Sequence, residues 1–148
     1  MRFPPRLGHL ATRRVVIAKL WPTYAEAHGI DEAEAHQRLE RALAGRLWED
    51  LLEATWTALL EQNKKRRKPL EEDALLEKVA EALKDRPFRP GRIPKPSLTL
   101  SAFLILLDLE AGTMSDAARR ALETSEGKRR TALGLADAGR FLADELTR

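Results

Sequence analysis

From Leu98 to Ala111 the sequence is apolar on nearly every side, with Phe103, Leu104, Ile105, Leu106 and Leu107 in succession and Leu109 extending the run. A helix without a polar face has to be enclosed by other elements, so this stretch demands a core built around it. So short a run also suits a strand, but Gly112 as a stop and the helical context favour helix. Elsewhere Leu, Ala, Glu and Arg dominate, while β-branched and aromatic residues are few. That mixture predicts an all-α chain, a compact bundle of about five to six helices. With 148 residues and 43% hydrophobic content, one domain over 1–148 is expected.

Proline and glycine punctuate the pattern. Pro4-Pro5 precede a first helix that is expected to reach the break at Trp21-Pro22, and a shorter piece through Tyr24 and Ala27 ends at Gly29. Asp31 is the expected N-cap of the longest helical pattern, residues 31–62. Its apolar face changes direction: Ala35, Leu39, Ala42, Leu43 and Leu47 lie on one side, and Trp48, Leu52, Thr55, Trp56 and Leu59 nearly opposite. Gly45 lies at the switch, and a continuous or kinked helix is the favoured reading over two helices. Leu75, Leu76, Val79, Ala80 and Leu83 form a stripe opposite Glu71, Glu72, Glu77 and Glu81, the mark of a surface helix.

Four prolines between Arg86 and Pro96 predict an extended connection near residues 86–97, which divides the domain into lobes 1–85 and 98–148. Beyond it, Ser115 suits an N-cap for 116–123, and a last helix runs from about Glu126 to Leu146. That helix carries a stripe of small residues, Ala132, Ala136, Gly139 and Ala143. The stripe fits internal packing or a self-association seam.

A net charge of +3 hides a block pattern. Residues 1–25 hold five bases and no acid, residues 26–62 nine acids against three bases, and residues 63–97 eleven bases against six acids. The densest cluster is the run Lys64, Lys65, Arg66, Arg67 and Lys68. Arg86, Arg89, Arg92 and Lys95 form a second on the proline-rich segment, and Arg13 and Arg14 belong to a third with Arg2 and Arg6. Clustered cations attract phosphate by releasing condensed counterions. The alternative is that the run stabilises the carbonyl end of one helix while Glu71, Glu72 and Asp73 stabilise the amide end of the next. A helix-turn-helix with Lys128, Arg129, Arg130 and Thr131 facing a groove is a further reading of the last third.

Catalytic and metal chemistry find little support. The chain has no cysteine, which excludes disulfides and thiolate ligands. His9, His28 and His36 lack a ligand spacing, and Asp108 and Glu110 have no partner in sequence. No enzyme, cofactor or metal is expected. No apolar stretch reaches the length of a membrane span and no secretory signal is evident, so a cytoplasmic protein without a membrane partner is expected. Asn63 is the sole asparagine and Gln37 and Gln62 the only glutamines, a composition like that of proteins from hot environments.

The leading expectation is therefore a small non-enzymatic helical protein that binds DNA or RNA through its basic segments or serves as a subunit of a nucleoprotein assembly. The rival is a protein-protein interaction or scaffold protein, with a protein partner or a second copy of itself and no nucleic-acid role.

Overall fold

The structure is a computed structural model that describes residues 2–91 and 98–147. Arg92 and Lys95, and with them the second half of the expected extended connection, lie outside the described residues. The described chain is all-helical, with eight helices rather than five to six: α1 (Pro5–Leu10), α2 (Arg13–His28), α3 (Glu32–Ala42), α4 (Arg46–Lys64), α5 (Glu72–Leu83), α6 (Leu98–Ala111), α7 (Asp116–Leu122) and α8 (Ser125–Leu146).

The extra helices come from breaks that hydrophobic periodicity does not reveal. Between α1 and α2 the chain turns at Ala11, and the Thr12 hydroxyl accepts from the Val15 N–H at 3.3 Å, capping α2. The expected single helix over 31–62 is two. α3 ends at Leu43, whose carbonyl accepts from the Arg13 Nε at 2.9 Å, and α4 starts afresh after Gly45. Two separate helices let the two apolar faces noted in the sequence meet different neighbours without a kink.

In the opposite sense, α2 runs through Trp21-Pro22, where a break was expected. Proline inside a helix forfeits one backbone bond and costs about 3 kcal/mol. Thr23, Tyr24 and Ala25 beyond it are all buried. Enclosing these side chains holds the helix together across the proline, because burial of one large apolar side chain contributes about 1.5–3 kcal/mol.

The enclosed helix is α2, not α6. Six consecutive residues, Val15 to Leu20, are buried, including Lys19. In α6, Phe103 and Leu107 are fully buried, but Ile105 is 41% exposed and Leu106 and Leu109 are only half-buried. The expectation that 98–111 would be covered all round is corrected accordingly. One core cluster draws on Leu7 of α1, on α2 to α5, on α6, and on Ala138, Leu142, Ala143 and Leu146 of α8.

α8 packs most extensively on α4 and α6. Its small residues make the approach to α4 possible: a Cβ added at Gly139 would lie 2.5 Å from the Ala54 backbone. Gly139 and Ala143 of the small stripe are buried in this way, while Ala132 stays exposed. Gly91 is also buried, and a Cβ there would meet the Lys19 carbonyl at 2.4 Å and the Phe141 ring at 2.9 Å. The proline-rich segment thus lies directly on α2 and α8 at Gly91, midway along it.

Two glycine substitutions should separate these effects. At Gly8, inside α1, an added methyl finds only the Leu52 side chain at 3.7 Å, so Gly8→Ala should stabilise the fold by about 0.5–1 kcal/mol. Gly139→Ala gains the same propensity but forces backbone apart, and overpacking of about 1–3 kcal/mol should make it net destabilising. Urea denaturation of the two variants checks the opposite signs.

Candidate nucleic-acid interface

The run Lys64 to Lys68 leaves the end of α4 and is exposed throughout. Its geometry is set by the residue before it. The Asn63 side-chain amide donates to the Leu70 carbonyl at 2.8 Å, and its Oδ1 accepts from the Leu70 N–H at 2.9 Å. This reciprocal pair closes the chain into a loop with the five cations on it. Among the described residues, none of the five side chains makes an ion pair or a hydrogen bond. Stabilising the end of α4 needs one or two cations near its last carbonyls. The loop offers more than that.

The N-terminal arginines divide by role. Arg2 pairs with Asp50 at 3.3 Å and Glu53 at 2.5 Å on α4, and Arg6 pairs with Glu77 on α5. Arg13 donates to Leu43 and lies over the Trp48 ring, 5.3 Å from its centroid, so it fastens α2 to the α3–α4 junction. Arg14 is different. Its guanidinium lies 4.9 Å from the centroid of Phe88, between Arg86 and Arg89 in sequence, and all three arginines are exposed. Arg14, Arg86 and Arg89, from two separated segments, therefore share one surface.

This second patch and the Lys64 loop stand at opposite ends of α5. Its twelve residues rise about 18 Å. Exposed Glu72, Asp73, Glu77 and Glu81 lie on the helix between them, Glu77 being the one already paired with Arg6. The basic segments thus form two patches flanking an acidic ridge rather than one continuous face.

Beside the second patch is a cleft of about 530 Å³ lined by Lys19, Arg86, Arg89, Glu81, Asp85 and Glu145. Lys19 is 3% exposed, and burial holds its ammonium below the usual lysine range, with Glu145 opposing and Arg89 reinforcing the shift. Three acids face three bases, so the cleft has a mixed field.

A polar cluster that sequence spacing did not reveal joins α2 to α6. The Tyr24 hydroxyl donates to Asp108 Oδ1 at 2.5 Å, and His28 Nε2 lies 2.7 Å from Asp108 Oδ2. His28 Nδ1 is 3.0 Å from the Tyr24 carbonyl, and the two rings stack with centroids 4.2 Å apart. Both imidazole nitrogens thus lie within hydrogen-bonding distance of oxygen atoms. Asp108, without a partner in sequence, is thus doubly bonded across about eighty residues of chain separation. Tyr24 is 1% exposed and each carboxylate oxygen already has a donor, which makes this a structural tie. Tyr24 and His28, four apart on one helix face, were the only available signal.

Lys128, Arg129 and Arg130 are exposed near the start of α8, where Thr124 caps the helix two residues after α7 ends. Glu110 is exposed. Among the described residues no cluster of three or more histidine, aspartate or glutamate side chains could hold a metal ion. Among them too, no helix is long and apolar enough to cross a membrane. No protein family, no curated protein and no solved structure matches the chain.

Burial first, and the bond to Asp108 second, push the Tyr24 phenol from 10.0 up to about 12, with Arg38 pulling the other way. The unfolded chain then releases this proton at lower pH than the folded one. Stability linked to Tyr24 is complete below pH 10 and falls as pH rises from 10 towards 12. Tyr24 is the only tyrosine, so phenolate absorbance during alkaline titration reads it alone. Ionisation should come near pH 12 and together with loss of helix, and Tyr24→Phe should remove that contribution to the alkaline decline.

Proposed function

We propose that this chain is a small non-enzymatic helical protein that binds DNA or RNA through two cationic patches, alone or as a subunit of a nucleoprotein assembly. The observation that carries the reading is the Lys64–Lys68 loop: five cations, held on a loop closed by the Asn63–Leu70 pair and unspent on any partner among the described residues. Prior ordering lowers the entropy lost on contact with a polyanion. The Arg14, Arg86 and Arg89 surface supplies the second contact, with Phe88, 50% exposed, as an aromatic face beside it. Arg92 and Lys95 extend the same sequence segment. No aromatic lies within the loop itself, so contact there is with phosphate rather than by base stacking.

Replacing Lys64, Lys65, Arg66, Arg67 and Lys68 together by serine should weaken binding to single- and double-stranded oligonucleotides at least about tenfold near 0.1 M salt and flatten its salt dependence. Arg14→Ser with Arg86→Ser and Arg89→Ser should do so independently. Arg2→Ser, which removes an already paired cation, should have the smaller effect. Affinity and salt slope unchanged in the loop variant would remove the loop from the interface. No affinity for any oligonucleotide at low salt would favour a protein-interaction role.

A further inference from the structure

We infer that Phe88 is a stacking platform for an unpaired base, which makes single-stranded nucleic acid the ligand of the second cationic patch. This rests on the nucleic-acid reading above and goes beyond it by naming the form of the ligand. The geometry begins with a turn. In Arg86-Pro87-Phe88-Arg89 the Arg89 N–H donates to the Arg86 carbonyl at 3.4 Å, closing a β-turn. Proline at the second position is pre-set for such a turn, and closure brings the first and last Cα atoms within about 7 Å. Phe88 therefore stands at the tip, with one arginine at each end of the turn. Just beyond, Gly91 is seated against the Lys19 carbonyl and the Phe141 ring, which anchors the segment to the body of the fold.

The ring is left open by its own fold. The Arg14 guanidinium covers it from one side, 4.9 Å from the centroid, yet half of Phe88 remains in solvent, more than any other large apolar side chain among the described residues. An aromatic of this size normally gains much of its stabilisation by burial. Around the ring is a shallow hollow of about 560 Å³ lined by Asp85, Arg86, Pro87 and Arg89. With Arg14, three arginines stand against one carboxylate there. In the adjoining cleft Glu81, Glu145 and Lys19 bring acids and bases into balance, so the cationic excess is at the ring.

These features select the occupant. In a duplex the bases are stacked on one another, and a surface ring meets only phosphate, sugar and groove edges; an unpaired base offers a whole face. Arginines on either side of the ring suit the phosphates that flank a stacked base. A protein partner is poorly suited, because the apolar surface is one ring set among Arg14, Arg86, Arg89 and Asp85, all of which would have to be desolvated. Every base has a π-face, so the contact tolerates any sequence.

The test measures the full chain by fluorescence anisotropy against a labelled single strand of mixed sequence, its duplex, and an abasic strand of equal length, with RNA versions of the first two. The intact strand should bind more tightly than the abasic one. Phe88→Ala should weaken binding of the intact strand about tenfold while leaving the duplex unaffected. Its salt slope and thermal melting should stay unchanged, because no phosphate contact is lost. Phe88→Tyr should bind as the wild type does and Phe88→Leu should not, which separates stacking from apolar bulk. An abasic strand that binds as tightly as the intact one, or full binding by Phe88→Leu, would overturn the inference. Strand and duplex affinities untouched by Phe88→Ala, but both weakened by the serine variant of Lys64–Lys68, would overturn it and leave the nucleic-acid reading in place. No affinity for any oligonucleotide at low salt would overturn both.

Discussion

The near-contact of α8 with α4 at Gly139 is the constraint on which most of the arrangement depends. With Ala54 backbone occupying the space where any side chain at 139 would begin, the helices approach closely enough for Ala138, Leu142, Ala143 and Leu146 to enter the common core. α8 also packs on α6, so the distance set at Gly139 fixes where α6 can lie relative to α4. Dispersion and burial fall off steeply with separation, so a displacement of even an ångström here would loosen several layers at once.

Polar contacts then fix orientations that apolar packing leaves free. Asp108 receives Tyr24 and His28 and so sets the rotation of α6 against α2. Arg13 ends α3 through the Leu43 carbonyl while its guanidinium covers Trp48. These are directional bonds between groups that would be costly to leave unpaired, and each joins elements distant in sequence. Hydrophobic contact alone would tolerate small rotations that these bonds do not.

Local signals in the sequence proved readable where the physics is local. Asp31 and Ser115 cap their helices, Gly29 and Gly112 take the left-handed conformation at φ 63° and 74°, and the α5 stripe is buried. The failures are tertiary. Pro22 breaks a helix in isolation, but enclosure of Tyr24 outweighs it here. The full enclosure of Val15 to Leu20 in α2, Lys19 included, had no sign in the sequence, where arginines and a lysine interrupt the apolar positions. The break at Leu43 depends on a bond from Arg13, thirty residues away. In the candidate interface the cations were plain, but which ones are spent was not: Arg2, Arg6 and Arg13 are engaged by distant partners, whereas Arg14 is carried to Arg86 and Arg89 by Phe88. Asn63 carried no recognisable motif, and its bond to Leu70 exists only once the loop closes.

The acidic ridge of α5 changes how the two cationic ends act on anything long and negatively charged. The length of α5 between them, about 18 Å, exceeds the screening length of about 8 Å at physiological ionic strength, so each end's field is largely screened at the other. A short anion meets one end only. On the proposed nucleic-acid reading, a polymer that spans α5 would meet both, its second contact forming at an effective concentration set by its own stiffness. On the same reading, this spacing would favour polyanions long enough to reach both ends over short ones, a selectivity that no single charged residue could provide.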